Sequence, residues 1–90
     1  MYKKELRKLA KGLIERGYNF TFNSICCGWQ IRCEDWDAIC HEYSYGSERG
    51  LLEIMGSIVQ VDNDNVEGWL TAKEVLKRID EKRQKEVDKK

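Results

Sequence analysis

The sequence has little of what most enzymes and membrane proteins need. It contains a single histidine, His41, around which no Ser–His–Asp set can be built, and it has no glycine-rich phosphate loop. No apolar run approaches the roughly 18–20 residues that cross a bilayer. The N-terminus also lacks the continuous apolar stretch of a signal peptide. We therefore expect a cytoplasmic protein that is not an enzyme, uses no cofactor and has no membrane partner.

Cysteine spacing of the kind that binds metal is also missing. The four cysteines are Cys26, Cys27, Cys33 and Cys40, and they lack the paired C-x2-C spacing of zinc sites. Neighbours on a strand point to opposite faces, which separates Cys26 from Cys27 and Cys40 from His41. Without an export signal, we expect reduced cysteines buried as small hydrophobic residues, and no metal site.

Charge is abundant but segregated along the chain. The 90 residues have a net charge of zero, yet residues 1–17 carry a net +4, residues 18–70 a net −7 and residues 71–90 a net +3. Such blocks predict surfaces of opposite sign and macromolecular partners. The length allows one domain with a modest core and little room for a deep cleft.

A first helix is predicted near the N-terminus. Its apolar residues recur at the spacing of one helical stripe, and they are Leu6, Leu9, Ala10, Leu13 and Ile14. Gly17 supplies the left-handed residue that ends a helix, and Tyr18 is placed for the apolar contact that usually follows it.

A second helix is predicted to begin after Thr71, which forms a capping box with Glu74. Its apolar stripe consists of Ala72, Val75, Leu76 and Ile79. The pattern is lost from Lys82 onward. We therefore expect residues 1–81 to form one α+β domain and residues 82–90 to form a charged, frayed tail.

Four strands are predicted between the helices. They cover residues 18–23, 27–33, 36–43 and 51–56. The first turn is predicted to begin at Asn23–Ser24. The fourth segment also suits a helix, although its bounding glycines favour a strand. The order α-β-β-β-β-α predicts a four-stranded antiparallel sheet with the N- and C-terminal helices packed on one face. The other face needs shielding, and a homodimer is one way to provide it.

Residues 63–74 can be aligned with the twelve-position calcium loop of an EF-hand. Asn63 would take position 1, Gly68 the turn at position 6 and Glu74 the bidentate position 12. Asparagine at position 1 and the lack of a second such loop weigh against calcium binding. A polar turn before a capped helix is the simpler interpretation.

Two charged surfaces are the candidate binding sites. The exposed side of the first helix is basic and could contact nucleic-acid phosphates through Lys4, Arg7, Lys8 and Lys11. The acidic middle segment includes aromatic anchors, and its candidate contact residues are Asp35, Asp37, Glu42, Tyr43, Tyr45 and Glu48. Interfaces favour such anchors inside a polar rim, and an acidic rim attracts a basic surface. We expect a protein partner with a basic surface, with nucleic acid as the alternative.

The run WDAICHEYSYGSERGLLEIMG, followed by VEGWLTAKEVLKRI, resembles small uncharacterised proteins of phages and prophages of Firmicutes. The resemblance covers roughly residues 27–80. It implies a genomic setting rather than a chemistry, because none of these residues forms a mechanistic motif. Small phage proteins often bind and inhibit a host component, so the resemblance implies an inhibitor of a host defence protein, such as an anti-CRISPR protein, in the host cytoplasm.

Overall fold

The computed structural model describes residues 2–60 and 65–88. They form an α+β fold in which one helix precedes an antiparallel sheet and a second helix follows it. The helices are α1 (Lys4–Glu15) and α2 (Ala72–Asp88), and a 3₁₀ turn covers Ser47–Arg49. The strands are β1 (Thr21–Ile25), β2 (Gly28–Arg32), β3 (Trp36–His41), β4 (Leu52–Gly56) and β5 (Val66–Leu70).

The sheet has five strands in chain order, each antiparallel to its neighbours. The prediction of four strands is therefore wrong, while the α+β class is confirmed. The additional strand, β5, lies just before the second helix, in a segment for which no strand was predicted. Gly68 in the middle of β5 and a β-bulge beside it interrupt the alternation of apolar and polar residues, which removes the usual strand signal.

The core lies between the sheet and the two helices. Ile31 and Ala38 are direct cross-strand partners, as are Ala38 and Ile54, and all three are completely buried. The helices cover this face with buried side chains from both of their apolar stripes, namely Leu6, Leu9, Leu13, Val75 and Ile79. Both helices therefore pack on the same sheet face.

The helix ends follow the local sequence signals. Gly17 has a φ of +76°, and the N–H of Tyr18 donates to the carbonyl of Leu13 at 3.0 Å, as expected for a helix that ends in a left-handed glycine. At the start of α2, the Glu74 N–H donates to the Thr71 hydroxyl at 3.2 Å, and the Thr71 N–H donates to the Glu74 carboxylate at 3.1 Å. The capping box is therefore confirmed.

Helix α2 continues through residues 82–88, where the lost apolar pattern predicted a tail. The Lys82 Nζ lies 2.6 Å from the Asp35 carboxylate and 2.8 Å from the Ser57 hydroxyl. The Arg83 guanidinium lies 5.2 Å from the centroid of the Tyr18 ring. These contacts anchor the beginning of the segment, and fraying towards its end stays a prediction.

The first hairpin turn lies later than predicted. β1 runs to Ile25, which pairs with Gly28, so the turn is Cys26–Cys27 and does not begin at Asn23–Ser24. The second turn residue has a φ of +67°, a conformation that usually selects glycine or asparagine, and neither occurs in this turn. The position of Gly28 is set by close packing, because a Cβ there would lie 2.4 Å from the Cα of His41.

Two of the cysteines are not buried, contrary to the prediction. All four are free thiols, but Cys26 and Cys27 are exposed, while Cys33 is half-buried and Cys40 is buried. The exposed pair lies in a turn, where neighbouring side chains need not point apart, and the two Sγ atoms are 3.4 Å from each other. Hydrogen bonding to Cys26 is the main reason that the pKa of Cys27 is raised to about 11.

The described part of residues 63–74 is a strand and a helix cap. Asn63 lies outside the described residues. The chain before this segment contains β4 rather than an entering helix, and residues 66–70 form β5. The Glu74 carboxylate caps α2, and the Glu67 carboxylate binds the Arg78 guanidinium. These interactions leave no open calcium loop over residues 65–74.

Candidate functional site

The sheet face that points away from the helices, here called the outer face, carries polar and apolar side chains together. Gln30 pairs with Ile39, and Ile39 pairs with Glu53, across three adjacent strands. Asp37 and Met55 form the next cross-strand pair. The Gln30 amide donates to the Asp37 carboxylate at 2.7 Å, and Met55 remains 41% exposed.

A β-bulge distorts this face where β4 meets β5. Leu52 pairs with Leu70, while Ile54 pairs with Glu67, so two residues of β5 lie opposite the single residue Glu53. Those two residues are Gly68 and Trp69. An extra residue in one strand bends it and re-aims the side chains beside it.

Trp69 is the unusual residue of the bulge. Its φ is +62°, a region that large side chains rarely occupy, and the residue is 51% exposed. A strained backbone persists only where the surrounding structure holds it, and such positions cluster at functional sites. The fold therefore holds a large aromatic side chain in solvent at an energetic cost.

The loop between β3 and β4 supplies the contacts that hold the bulge. The Trp69 N–H donates to the Tyr45 carbonyl at 3.3 Å, and the Tyr45 N–H donates to the Glu53 carboxylate at 3.4 Å. Gly68 makes room for this loop, because a Cβ at that position would lie 2.3 Å from the Cβ of Tyr45. Gly46, with a φ of +94°, turns the chain beside Trp69.

The start of the same loop positions a second tyrosine. β3 ends at His41, earlier than predicted, because the His41 carbonyl accepts a hydrogen bond from the Ser44 N–H at 3.0 Å. The His41 Nδ1 accepts another from the Tyr43 N–H at 3.0 Å, and the two rings meet edge to face with centroids 6.5 Å apart. Tyr43 is nevertheless 78% exposed.

We call Tyr43, Tyr45 and Trp69 the aromatic patch, because a backbone hydrogen bond of 3.3 Å joins Trp69 to Tyr45, and Tyr43 lies two residues before Tyr45 in the same loop. All three are largely exposed, at 78%, 62% and 51%, although aromatic side chains of this size are usually at least partly covered. One exposed carboxylate is next to the patch in the chain, since Glu42 precedes Tyr43, whereas the Glu53 carboxylate that accepts the Tyr45 N–H is buried. The arrangement combines apolar anchors with negative charge.

The predicted acidic surface is divided by the structure. Glu42, Tyr43 and Tyr45 lie beyond the His41 end of β3, and Asp37 lies within the strand on the outer face. Asp35 precedes the opposite end of the six-residue strand, which at 3.3 Å per residue is about 20 Å long. Glu48 lies on the 3₁₀ turn, in a concave surface beside α1.

The charge of Asp35 is already engaged within the molecule. Its carboxylate accepts the Lys82 ammonium at 2.6 Å, and this bond is the main reason that the pKa of Asp35 lies below its ordinary value. An internally paired carboxylate has less to offer a partner, because binding would have to replace an existing contact.

The cysteine turn is connected to the aromatic patch through the backbone. The Glu42 N–H donates to the Cys27 carbonyl at 2.9 Å. This bond places the beginning of the β3–β4 loop against the β1–β2 turn, one residue before Tyr43. The patch is therefore supported at the cysteine turn and at the bulge.

The predicted basic residues lie together on the exposed side of α1. Lys4, Arg7, Lys8 and Lys11 are all exposed. The Lys8 ammonium lies 3.1 Å from the Glu5 carboxylate.

Glu53, Gly68 and Trp69 belong to the site but are not among the sequence-predicted site residues. The available signal was the Gly68–Trp69 pair inside a short apolar segment, because a glycine inside a strand often marks a bulge. Their proximity to Tyr45 depends on strand pairing between distant parts of the chain, which one sequence does not reveal.

No protein-family model, curated protein sequence or solved structure matches the chain. Within the described residues, no helix is both long and apolar enough to span a bilayer. The same part of the chain holds no group of three or more His, Cys, Asp or Glu side chains arranged to bind a metal ion.

Proposed function

We propose that this chain is a non-enzymatic protein-binding module whose contact surface is the aromatic patch and its neighbouring carboxylates. The observation that carries the proposal is the exposed Trp69, which a β-bulge and the docked Tyr45 loop hold at a φ of +62°. Strain maintained by specific contacts around an exposed aromatic side chain is typical of a site that is preorganised for binding.

The patch suits the centre of an interface. Tryptophan and tyrosine are enriched among residues that contribute most to protein binding, because they bury a large area and lose little conformational freedom. The hydrogen bonds from the Tyr45 N–H and the Trp69 N–H hold the loop and bulge before the partner arrives, which lowers the entropic cost of association.

The neighbouring carboxylates favour a partner with a basic surface. Glu42 is exposed beside Tyr43. Asp37 lies farther along β3 on the outer face, where it is half-buried and accepts a hydrogen bond from the Gln30 amide. Negative charge around an apolar centre raises the rate of encounter with a positive surface and opposes encounter with an acidic one. The resemblance to phage proteins makes a host defence protein, a CRISPR nuclease included, the partner class to test first, with the module acting in the host cytoplasm.

The test begins with capture of partners from a lysate of a Firmicute host, treated with nuclease, followed by purification of the captured protein and measurement of its dissociation constant. Trp69→Ala should weaken binding about thirtyfold or more, which corresponds to the roughly 2 kcal/mol of an interface hot spot. Ile14→Ala is the matched control, because Ile14 is an apolar residue that is 68% exposed on α1.

Charge variants test the choice of partner. Glu42→Lys should slow association, and the difference from the unaltered protein should shrink as salt is added. Equal affinities for Trp69→Ala and the unaltered chain would contradict the proposal, as would equal losses for Trp69→Ala and Ile14→Ala.

A further inference from the structure

A second concave surface lies beside α1, away from the bulge. It is a groove of about 700 Å³ between the first turn of α1 and the 3₁₀ turn, with Thr71 at its edge. Four of its lining residues are cations, and we call this surface the cationic groove: Lys3, Lys4, Arg7 and Arg49. Arg49 comes from a segment more than 40 residues away in the sequence, so the fold itself brings these charges together.

The two acids that also line the groove do not cancel its charge. The Glu5 carboxylate accepts the Ala72 N–H at 2.9 Å and pairs with the Lys8 ammonium at 3.1 Å, so it is satisfied within the protein. Burial raises the pKa of Glu5, but these interactions outweigh burial and leave the pKa below its ordinary value. Glu48 is the one remaining groove carboxylate, against the cations of Lys4, Arg7 and Arg49. The Lys3 ammonium is already engaged, because it lies over the Trp29 ring at 4.6 Å from the ring centroid.

The guanidinium groups of the groove are available to a ligand. Among the residues that the structure describes, neither Arg7 nor Arg49 is joined to a carboxylate by an ion pair, whereas Arg16 and Arg78 each have one. Arg7 is also exposed, and it lies one helical turn from Lys4 and Lys3. Two uncommitted guanidinium groups form a planar, multidentate donor set, which matches phosphate oxygens.

Helix α1 begins at the same groove. Its N-cap residue, Lys3, makes no side-chain hydrogen bond to the first turn, so the N–H groups of that turn are not capped by it. The N-terminal end of a helix also carries partial positive charge. The groove thus combines side-chain cations from two elements with the positive end of a helix.

We infer that the cationic groove is a phosphate-binding site that contacts nucleic-acid strands through their backbone phosphates. Arginine, lysine and helix N-termini are the groups that proteins use for such contacts. The assignment differs from binding by the whole basic side of α1, because it excludes Lys8 and Lys11 and includes Arg49. It is independent of the protein-binding role proposed for the aromatic patch.

The experiment measures fluorescence anisotropy of a labelled 20-nucleotide single strand and of the corresponding duplex, as a function of protein and salt concentration. The double variant Arg7→Gln/Arg49→Gln removes two groove cations. The double variant Lys11→Gln/Lys77→Gln removes the same number of positive charges from exposed helical positions outside the groove, and it leaves the ion pair between Lys8 and Glu5 intact. Thermal unfolding of both variants by circular dichroism confirms that each is folded.

The groove variant should bind at least about tenfold more weakly at low salt, and the slope of log K against log salt for the duplex should fall by about 2. The control variant should lose less than about threefold. Glu48→Gln should strengthen binding, because it removes the carboxylate that competes with phosphate in the groove. ATP and inorganic phosphate serve as competitors and as separate ligands.

The protein could instead bind ATP saturably, lose that binding in the groove variant and bind no strand. That result would support phosphate recognition by the groove, but it would replace the nucleic-acid strand with a phosphorylated small molecule as the ligand. Equal losses for the two double variants would overturn the groove assignment in favour of diffuse attraction by the positive charge of the whole protein surface. The absence of binding to strands, ATP and phosphate alike would also overturn it.

Discussion

At the scale of single residues, the most informative feature is the backbone of Trp69. A left-handed conformation costs an L-residue roughly 1–2 kcal/mol, and glycine avoids that cost. Trp69 nevertheless has a φ of +62° and is 51% exposed. Burial in the core therefore does not explain why this position is a tryptophan rather than a glycine. The side chain is placed where a partner could cover it.

This strain can be measured with two variants at the same position. Trp69→Gly should be more stable than Trp69→Ala by about 1 kcal/mol, because both lack the indole and only alanine retains the cost of positive φ. At Thr21, an exposed position in β1 whose φ is not positive, the order should reverse. Urea unfolding of the four variants gives the comparison, and an alanine variant at 69 as stable as the glycine variant would contradict a strained site.

Gly68 tests the contact between the bulge and the loop. Gly68→Ala should lower the free energy of unfolding by about 1–3 kcal/mol, because the new Cβ would lie 2.3 Å from the Tyr45 Cβ. Adding Tyr45→Gly removes that Cβ, so the double variant should recover part of the loss. Additive losses in this double-mutant cycle would show that Gly68 and Tyr45 do not interact as described.

At the scale of elements, the parts that could be predicted are those with local signals. The end of α1 at Gly17 and the capping box at Thr71 each depend on residues within one helical turn, and both are present. β5 was missed because Gly68 and the bulge disrupt its alternation. The first turn was misplaced because Cys27 takes a conformation that the sequence would assign to glycine or asparagine.

The contact between β5 and α2 includes an ion pair with a pH-dependent contribution. The Arg78 guanidinium donates two hydrogen bonds to the Glu67 carboxylate, at 2.6 and 2.5 Å, and both side chains are mostly buried. These bonds lower the pKa of Glu67 below its ordinary value of 4.5, even though burial raises it. A lowered pKa in the folded state stabilises the protein above the ordinary pKa and ceases to do so as the pH falls through the folded-state value.

Glu67→Gln should therefore destabilise the protein most at neutral pH. We expect a loss of about 1–3 kcal/mol at pH 7, which should shrink as the pH falls below 4.5. The measurement is the difference in free energy of unfolding between the variant and the unaltered protein from pH 7 to pH 3. Comparing the two proteins cancels the similar contributions of Asp35 and Asp80, whose pKa values are also lowered. A difference that stays constant with pH would contradict this role of the ion pair.

At the scale of the whole molecule, the question is where the fold places the basic, acidic and basic segments of the chain. Both basic ends form helices that pack on one sheet face, and Asp37 belongs to the opposite face. Two other acids of the middle segment instead pair with α2, since Asp35 binds Lys82 and Glu67 binds Arg78. The charge blocks of the sequence are therefore only partly separated in space, and the role of Tyr43 and Tyr45 in binding stays a prediction. The sequence did not predict that Trp69 joins Tyr45, or that Glu48 lies among cations, because both depend on how distant segments pack.

If a protein partner covers the aromatic patch as proposed, hydrogen–deuterium exchange of the complex will reveal the covered residues. The amides of residues 42–46 and 68–69 should become protected on binding, while those of the exposed first turns of α1 should exchange as in the free protein. Protection confined to the helices, with unchanged exchange at the β3–β4 loop and the bulge, would contradict the account.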